Sequence, residues 1–150
     1  RRKGSAELLQ RLDGLDTQTP SAGDAPGLEQ RDLDFDGLAD IRIIESLPAG
    51  PNVPYRNWRY DRESGRFLAA PELDEVTSPV FDAQRREVRS DWRDGATRYG
   101  TDTFAWREGR LVPQGRVTRE AGDSGKFTQR RYAWSAGGWV PEGQGRAKPR

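Results

Sequence analysis

Asp32-Leu33-Asp34-Phe35-Asp36-Gly37-Leu38-Ala39-Asp40, running straight into Ile41-Arg42-Ile43-Ile44, is the stretch from which the rest of the chain is read. Carboxylates stand at relative positions 1, 3, 5 and 9, with a glycine at position 6. Calcium takes six to eight oxygen ligands at about 2.3–2.6 Å, and a loop of this form wraps one ion. Alternate residues of an extended chain point the same way, so Asp32, Asp34 and Asp36 are expected to converge while Leu33 and Phe35 face the opposite side. Gly37 permits a sharp turn. The Leu38 carbonyl is then positioned to join the shell, and Asp40 closes it directly or through water. Position 12 is Ile43, where an EF-hand loop needs a bidentate Glu. The apolar, β-branched run after the loop has the composition of a strand, not of an exiting helix. The loop is therefore expected to feed a β fold.

An acidic turn with no ion is the alternative, and electrostatics weighs against it. Two like charges about 4 Å apart cost roughly 1 kcal/mol even in water. Four crowded carboxylates make several such pairs, so without a cation the loop would resist its own folded geometry. No catalytic partner adjoins the loop in sequence, and the expected role of calcium is structural.

Composition narrows the function classes. The chain has 150 residues, 33% hydrophobic and 33% charged, with a formal net charge of +1. This length suits one domain with a real core. The core is expected to be thin and to lean on Trp58, Trp92, Trp106, Trp134 and Trp139 with the Phe and Tyr residues. A near-neutral charge makes nucleic acid a poor partner. There is no Cys, hence no disulfide framework and no thiolate chemistry, and no His. The latter removes the usual neutral-pH base, serine–histidine and cysteine–histidine nucleophiles and most zinc sites. No apolar run approaches the roughly 20 residues of a membrane helix. The numbering opens without Met, consistent with a signal peptide removed from a longer product.

Ala6 to Leu12 reads as two helical turns or a short strand, and Asp13 to Gly27 as a loop. Ala39 to Glu45 and Tyr55 to Tyr60 read as strands, separated by a connector with three prolines. Asp61 to Gly65 turns the chain into a strand at Arg66 to Ala69. Pro71 to Pro79 reads as a surface crossing, and Phe81 is expected to anchor it in the core. Further strands are expected at Arg85 to Trp92, Arg98 to Arg107, Arg110 to Glu120, Lys126 to Ser135 and Trp139-Val140. Short Gly-containing turns between them favour antiparallel neighbours. The expected fold is all-β, an antiparallel meander closed into a sandwich or a barrel-like domain. A single domain is expected over 1–150, with an ordered core of about 28–141 and residues 142–150 a disordered tail. The calcium signature occurs once, which disfavours a multi-bladed propeller.

Residues 34–43 (Asp-Phe-Asp-Gly-Leu-Ala-Asp-Ile-Arg-Ile), Gly50 to Trp58, Tyr60 to Phe67, Leu73 to Pro79, Arg89 to Gly100 and Thr103 to Leu111 together resemble one family. The chain is similar, roughly over residues 28 to 120, to small periplasmic proteins of Gram-negative bacteria related in fold to the inhibitor of invertebrate-type lysozyme. A characterised relative restrains a peptidoglycan hydrolase attached to a type IV secretion system. The resemblance implies an antiparallel β-sandwich, a periplasmic location, and inhibition of lysozyme-like or lytic-transglycosylase enzymes.

Such an inhibitor needs no chemistry of its own. Lysozyme-type clefts carry an acidic residue in a groove built for a sugar chain, and a rigid loop offering donors fills it. Residues 90–103 are the best candidate. Asp94-Gly95 forms the tip, Thr97, Arg98 and Tyr99 supply donors, Ser90 and Thr101 add hydroxyls, and Gly100 allows close backbone approach. Tyr and Arg are common interface hot spots. The competing reading is an ordinary hairpin, with Tyr99 packed on Trp92 and Arg98 paired to Asp94 or Asp102.

Two further function classes stand beside inhibition. One is a calcium-dependent adhesion or glycan-binding module with no enzyme target. The other is a hydrolase using a carboxylate pair, Glu72 with Asp74 or Asp91 with Asp94, for which no base and no cleft are evident. A non-enzyme is the expectation.

Overall fold

The turns set the topology. Glu108 and Gly109 have φ of 50° and 75°, and Ala136 and Gly137 have 50° and 79°. Positive φ at both central residues is the type I′ geometry whose twist matches a two-residue hairpin. The computed structural model describes residues 8–15, 17 and 27–143. Among the described residues the strands are β1 (Leu28–Arg31), β2 (Asp40–Ile44), β3 (Tyr55–Asp61), β4 (Arg66–Ala69), β5 (Pro79–Asp82), β6 (Glu87–Asp94), β7 (Arg98–Arg107), β8 (Arg110–Ala121), β9 (Phe127–Ser135) and β10 (Gly138–Pro141). One helical turn, α1 (Pro71–Asp74), lies between β4 and β5.

Every ladder is antiparallel, and strands adjacent in sequence are neighbours within each sheet. β1 to β4 form a four-stranded sheet and β5 to β10 a six-stranded one. The two sheets remain separate, so among the described residues the architecture is a sandwich and not a closed barrel. No described helix is long and apolar enough to cross a membrane. Residues 8–12 adopt neither helix nor strand, and the first part of the Ala6–Leu12 segment lies outside the described residues. So does 144–150, on which most of the expected disordered tail falls.

Two strands occupy stretches in which no strand is expected. β1 pairs with β2, Glu29 opposite Arg42, and β5 pairs with β6, Phe81 opposite Val88. Between β7 and β8, Thr103 pairs with Gly115 but Phe104 with Pro113, leaving Gln114 as an extra residue. That bulge accommodates a proline, which has no N–H for the ladder.

The core is built between the sheets from connecting segments as much as from strand faces. Leu33, Phe35, Ala70, Leu73, Val76 and Val88 are buried together, with Phe81, Phe104, Trp106 and Leu111 packed against them. Phe81 thus anchors as expected, on a strand. In β2 the buried side chains are Asp40, Arg42 and Ile44. Burying the charged Arg42 is tolerable because it is paired and hydrogen-bonded. Its Nε donates to Glu29 Oε2 at 2.9 Å and its Nη1 to the Pro79 carbonyl at 3.1 Å. Its guanidinium also lies 4.2 Å from the Tyr55 ring centre. Arg42 therefore ties β2 to β1 within one sheet and to β5 of the other.

Candidate metal centre

The 32–40 loop is fixed from its apolar side. Leu33 is fully buried, Phe35 is 8% exposed, and Trp106 Nε1 donates to the Leu33 carbonyl at 2.9 Å. Phe35 meets Phe81 edge-on at 6.4 Å and sits at φ 64°. That left-handed conformation is rare for a bulky residue. It curls the chain where simple extended alternation would keep it straight, and the Arg86 Nη1 donor on the Phe35 carbonyl holds the curl.

On the other side the carboxylates gather. One oxygen from each of Asp32, Asp34 and Asp40 lies within 4.8 Å of the others. Asp32 also organises the loop backbone, its Oδ2 accepting from Gly37 N at 2.8 Å. Asp40 is fully buried, and its two oxygens accept from Leu33 N and Tyr60 N, each at 2.7 Å. It pins loop to β3 while facing the cluster. Asp36 is exposed and stands apart from the trio, its Oδ1 accepting from Leu38 N at 2.8 Å. The expected ligands Asp32, Asp34 and Asp40 thus converge, whereas Asp36 would have to turn inward and the Leu38 carbonyl would complete the shell from the backbone.

A side chain that local sequence does not flag enters the cluster. Arg59 of β3 donates from Nη1 to Asp34 Oδ2 at 3.1 Å, and its guanidinium lies 4.6 Å from the Trp106 ring centre. No spacing rule links it to the loop 25 residues away. Burial pushes the Asp34 carboxyl above its ordinary value; the Arg59 hydrogen bond pulls it back and the Asp36 charge raises it again. Burial likewise raises Asp40, opposed by the Tyr60 and Leu33 N–H groups and aided by the charges of Asp34 and Asp36. In both groups burial is the main cause and carboxylate repulsion the lesser one. The donors are all hard oxygens, the set that suits calcium or magnesium over softer metals.

The second group of expected site residues lies at the other end of β7. Residues 95–97 form the tip between β6 and β7, and Asp94, Gly95, Thr97 and Arg98 are exposed. Arg98 Nη1 donates to Asp94 Oδ2 at 3.0 Å. Ala121 N donates to the Thr97 carbonyl at 2.9 Å, and the Asn52 amide clamps both main-chain groups of Arg93. The tip is therefore held firmly. Tyr99 is half-buried and meets Phe127 edge-on at 5.9 Å, not Trp92. Thr101 Oγ1 donates to Asp91 at 2.7 Å. Ser90 and Gly100 are buried within strands, Ser90 bonding the Thr77 carbonyl. A Cβ on Gly100 would stand 2.4 Å from Trp92 Cζ2, so its bareness serves the Trp92 ring and not an approaching partner.

The carboxylates that sequence spacing offers as catalytic couples have other engagements. Asp74 accepts from Asn57 N and Nδ2, each at 2.9 Å, and Glu72 lies 3.9 Å from Arg59. Asp91 and Asp94 are held by Thr101 and Arg98.

Fold and site together define an antiparallel β-sandwich with an acidic loop at one end and a braced hairpin at the other. A solved structure described as a Xanthomonas type IV secretion system related protein shares this fold, with a TM-score of 0.64 over 81% of the present chain at 15% identity. The chain spans 60% of the length of that structure. No family model and no curated protein matches the sequence.

Proposed function

We propose that this chain is a periplasmic inhibitor of a lysozyme-like or lytic-transglycosylase peptidoglycan hydrolase in a type IV secretion setting, braced by a calcium ion at its acidic loop. The observation that carries the reading is the braced, exposed tip at Asp94 to Arg98. The likeness to a type IV secretion related structure supports the setting. The family resemblance supports the enzyme class and the location.

The geometry supports a division of labour. Asp32, Asp34 and Asp40, with Asp36 and the Leu38 carbonyl, would hold the ion, which supplies the positive charge that four carboxylates need to share one loop. The rigid tip presents the Thr97 hydroxyl and the Arg98 guanidinium, donors suited to the carboxylate of a glycosidase cleft. Little ordering entropy is lost on docking a preformed hairpin. No bond in the chain is made or broken.

The test is titration of purified lysozyme-like hydrolases, including any encoded beside this protein, with the intact chain. Equimolar inhibition that Thr97→Ala and Arg98→Ala weaken is expected. Full activity of every such enzyme at large excess of the chain would contradict the reading.

A further inference from the structure

Arg85, Arg86 and Arg107 border one depression of about 220 Å³, at the end of β6 and β7 remote from the Asp94–Arg98 tip. Arg85 and Arg86 lie in the turn between β5 and β6, and Arg107 closes β7. Phe35 of the acidic loop and Gln114, the extra residue of the bulge, also border it. Arg42, Arg59, Arg98 and Arg116 each pair with a carboxylate. The three arginines of the depression pair with none among the described residues.

Two of the three guanidinium groups are nevertheless held in place. Arg86 Nη1 donates to the Phe35 carbonyl at 3.0 Å, and Arg107 Nη1 to the Trp106 carbonyl at 3.1 Å. In both, the Nε–Nη2 edge is left without a described partner, and that edge is a fork that matches two phosphate oxygens at once. The Arg85 side chain bonds no described group; only its main-chain N–H is engaged, with Asp82 Oδ1 at 3.0 Å. Arg86 sits at φ 55°, a left-handed conformation that glycine would take more readily. Strained positions of this kind gather at ligand sites.

Charge decides the occupant. Among the described residues one carboxylate, Glu87, borders the depression, so three guanidinium groups leave an excess of two positive charges there. The whole chain carries a formal net charge of only +1, so the excess is local. A single carboxylate would neutralise half of it. A phosphate monoester carries about −1.5 to −2 at neutral pH and neutralises nearly all of it. The volume also fits. At about 220 Å³ the depression is smaller than the roughly 300 Å³ at which pockets for drug-sized ligands begin, which leaves room for an oxyanion.

We propose that this depression binds a phosphate group, from a soluble phosphate or from a phospholipid headgroup, through Arg85, Arg86 and Arg107. The site lies at the opposite end of β6 and β7 from the hairpin tip, so it stands or falls independently of hydrolase inhibition.

The experiment is calorimetric titration of the intact chain, freed of calcium and of chelator, with inorganic phosphate and with glycerol 3-phosphate. Beside it runs co-sedimentation with phosphatidylcholine vesicles, with and without phosphatidate. Saturable binding of a soluble phosphate supports the proposal with a free ligand, and binding of phosphatidate vesicles alone supports it with a headgroup. In either case Arg85→Gln should weaken binding about tenfold. Glu87→Gln, which removes the opposing charge, should tighten it several-fold. Arg66→Gln on β4 makes the same change in net charge away from the depression and should leave the affinity unchanged, as should Thr97→Ala. No saturable binding of either soluble phosphate or of the phosphatidate vesicles would overturn the proposal. Equal weakening by Arg85→Gln and Arg66→Gln would overturn it too, since that is the mark of diffuse charge attraction.

Discussion

Arg59 and Asp34 form an ion pair at 3.1 Å inside the acidic loop, with 28% and 15% of their side chains exposed. The pair places one positive charge where a cation would also bind, so guanidinium and ion compete for the same oxygens. Arg59→Gln should lower stability in chelator by about 1 kcal/mol, since a partly buried carboxylate loses its partner. The same substitution should tighten calcium binding several-fold. Thermal melts in chelator and calorimetric titration with calcium read the two effects with opposite signs.

Asp40 serves loop architecture and the carboxylate cluster at once. Its oxygens accept from Leu33 N and Tyr60 N, two donors that have no water to turn to in a buried site. Asn in its place can satisfy one N–H but sets its own NH₂ against the other. Asp40→Asn should therefore cost about 2–3 kcal/mol in chelator, and more in calcium, where a charged ligand of the ion is lost as well. Urea unfolding under both conditions checks it.

The pH dependence has a definite sign. Burial raises Asp34 and Asp40 above their ordinary value of 3.8. A carboxyl with a raised folded pKa binds more protons folded than unfolded, so its penalty is present at neutral pH and relieved as pH falls toward that pKa. In chelator these two groups should favour the fold slightly more at mildly acid pH. Protons also compete with the ion. The rise in Tm on adding calcium should therefore shrink steadily between neutral pH and about pH 4, where carboxyl groups take up protons.

Gly100 is fixed by packing. An added Cβ would lie 2.4 Å from Trp92 Cζ2 and 2.7 Å from the Val117 carbonyl, and backbone cannot give way cheaply. Gly100→Ala should destabilise by about 2–3 kcal/mol and alter the Trp92 emission. Denaturant melts with fluorescence detection show both.

Much of the architecture is legible in local chemistry. Glycines at turns mark the hairpins, and period-two spacing with Gly37 marks the convergence of Asp32 and Asp34. Phe104 and Trp106 share a face as alternation requires. Two kinds of feature are hidden. β1 (Leu-Glu-Gln-Arg) and β5 (Pro-Val-Phe-Asp) are four-residue strands with little pattern of their own, formed because β2 and β6 offer edges to pair with. The Pro-first signature of α1 is present, but a single turn is too short for periodicity. Long-range partners are hidden as well. Nothing near Arg42 announces Glu29 and Pro79, nothing near Asp34 announces Arg59, and the outward turn of Asp36 depends on the left-handed Phe35. Trp92, Trp134 and Trp139 share a sheet face with Val88 and Phe104 but stay partly exposed outside the core expected of them, because composition carries no record of which part of a face is covered.

Thermal unfolding of the parent chain and of Asp34→Ala, each in excess calcium and in chelator, tests the central claim most directly. An ion at about a hundred times its dissociation constant adds about 2.7 kcal/mol, or a Tm rise of about 5–10 °C for a chain of this size. The account predicts that rise for the parent and its near-complete loss in Asp34→Ala, with the two proteins much closer in chelator. A parent Tm indifferent to calcium, or an Asp34→Ala shift equal in both conditions, would contradict it.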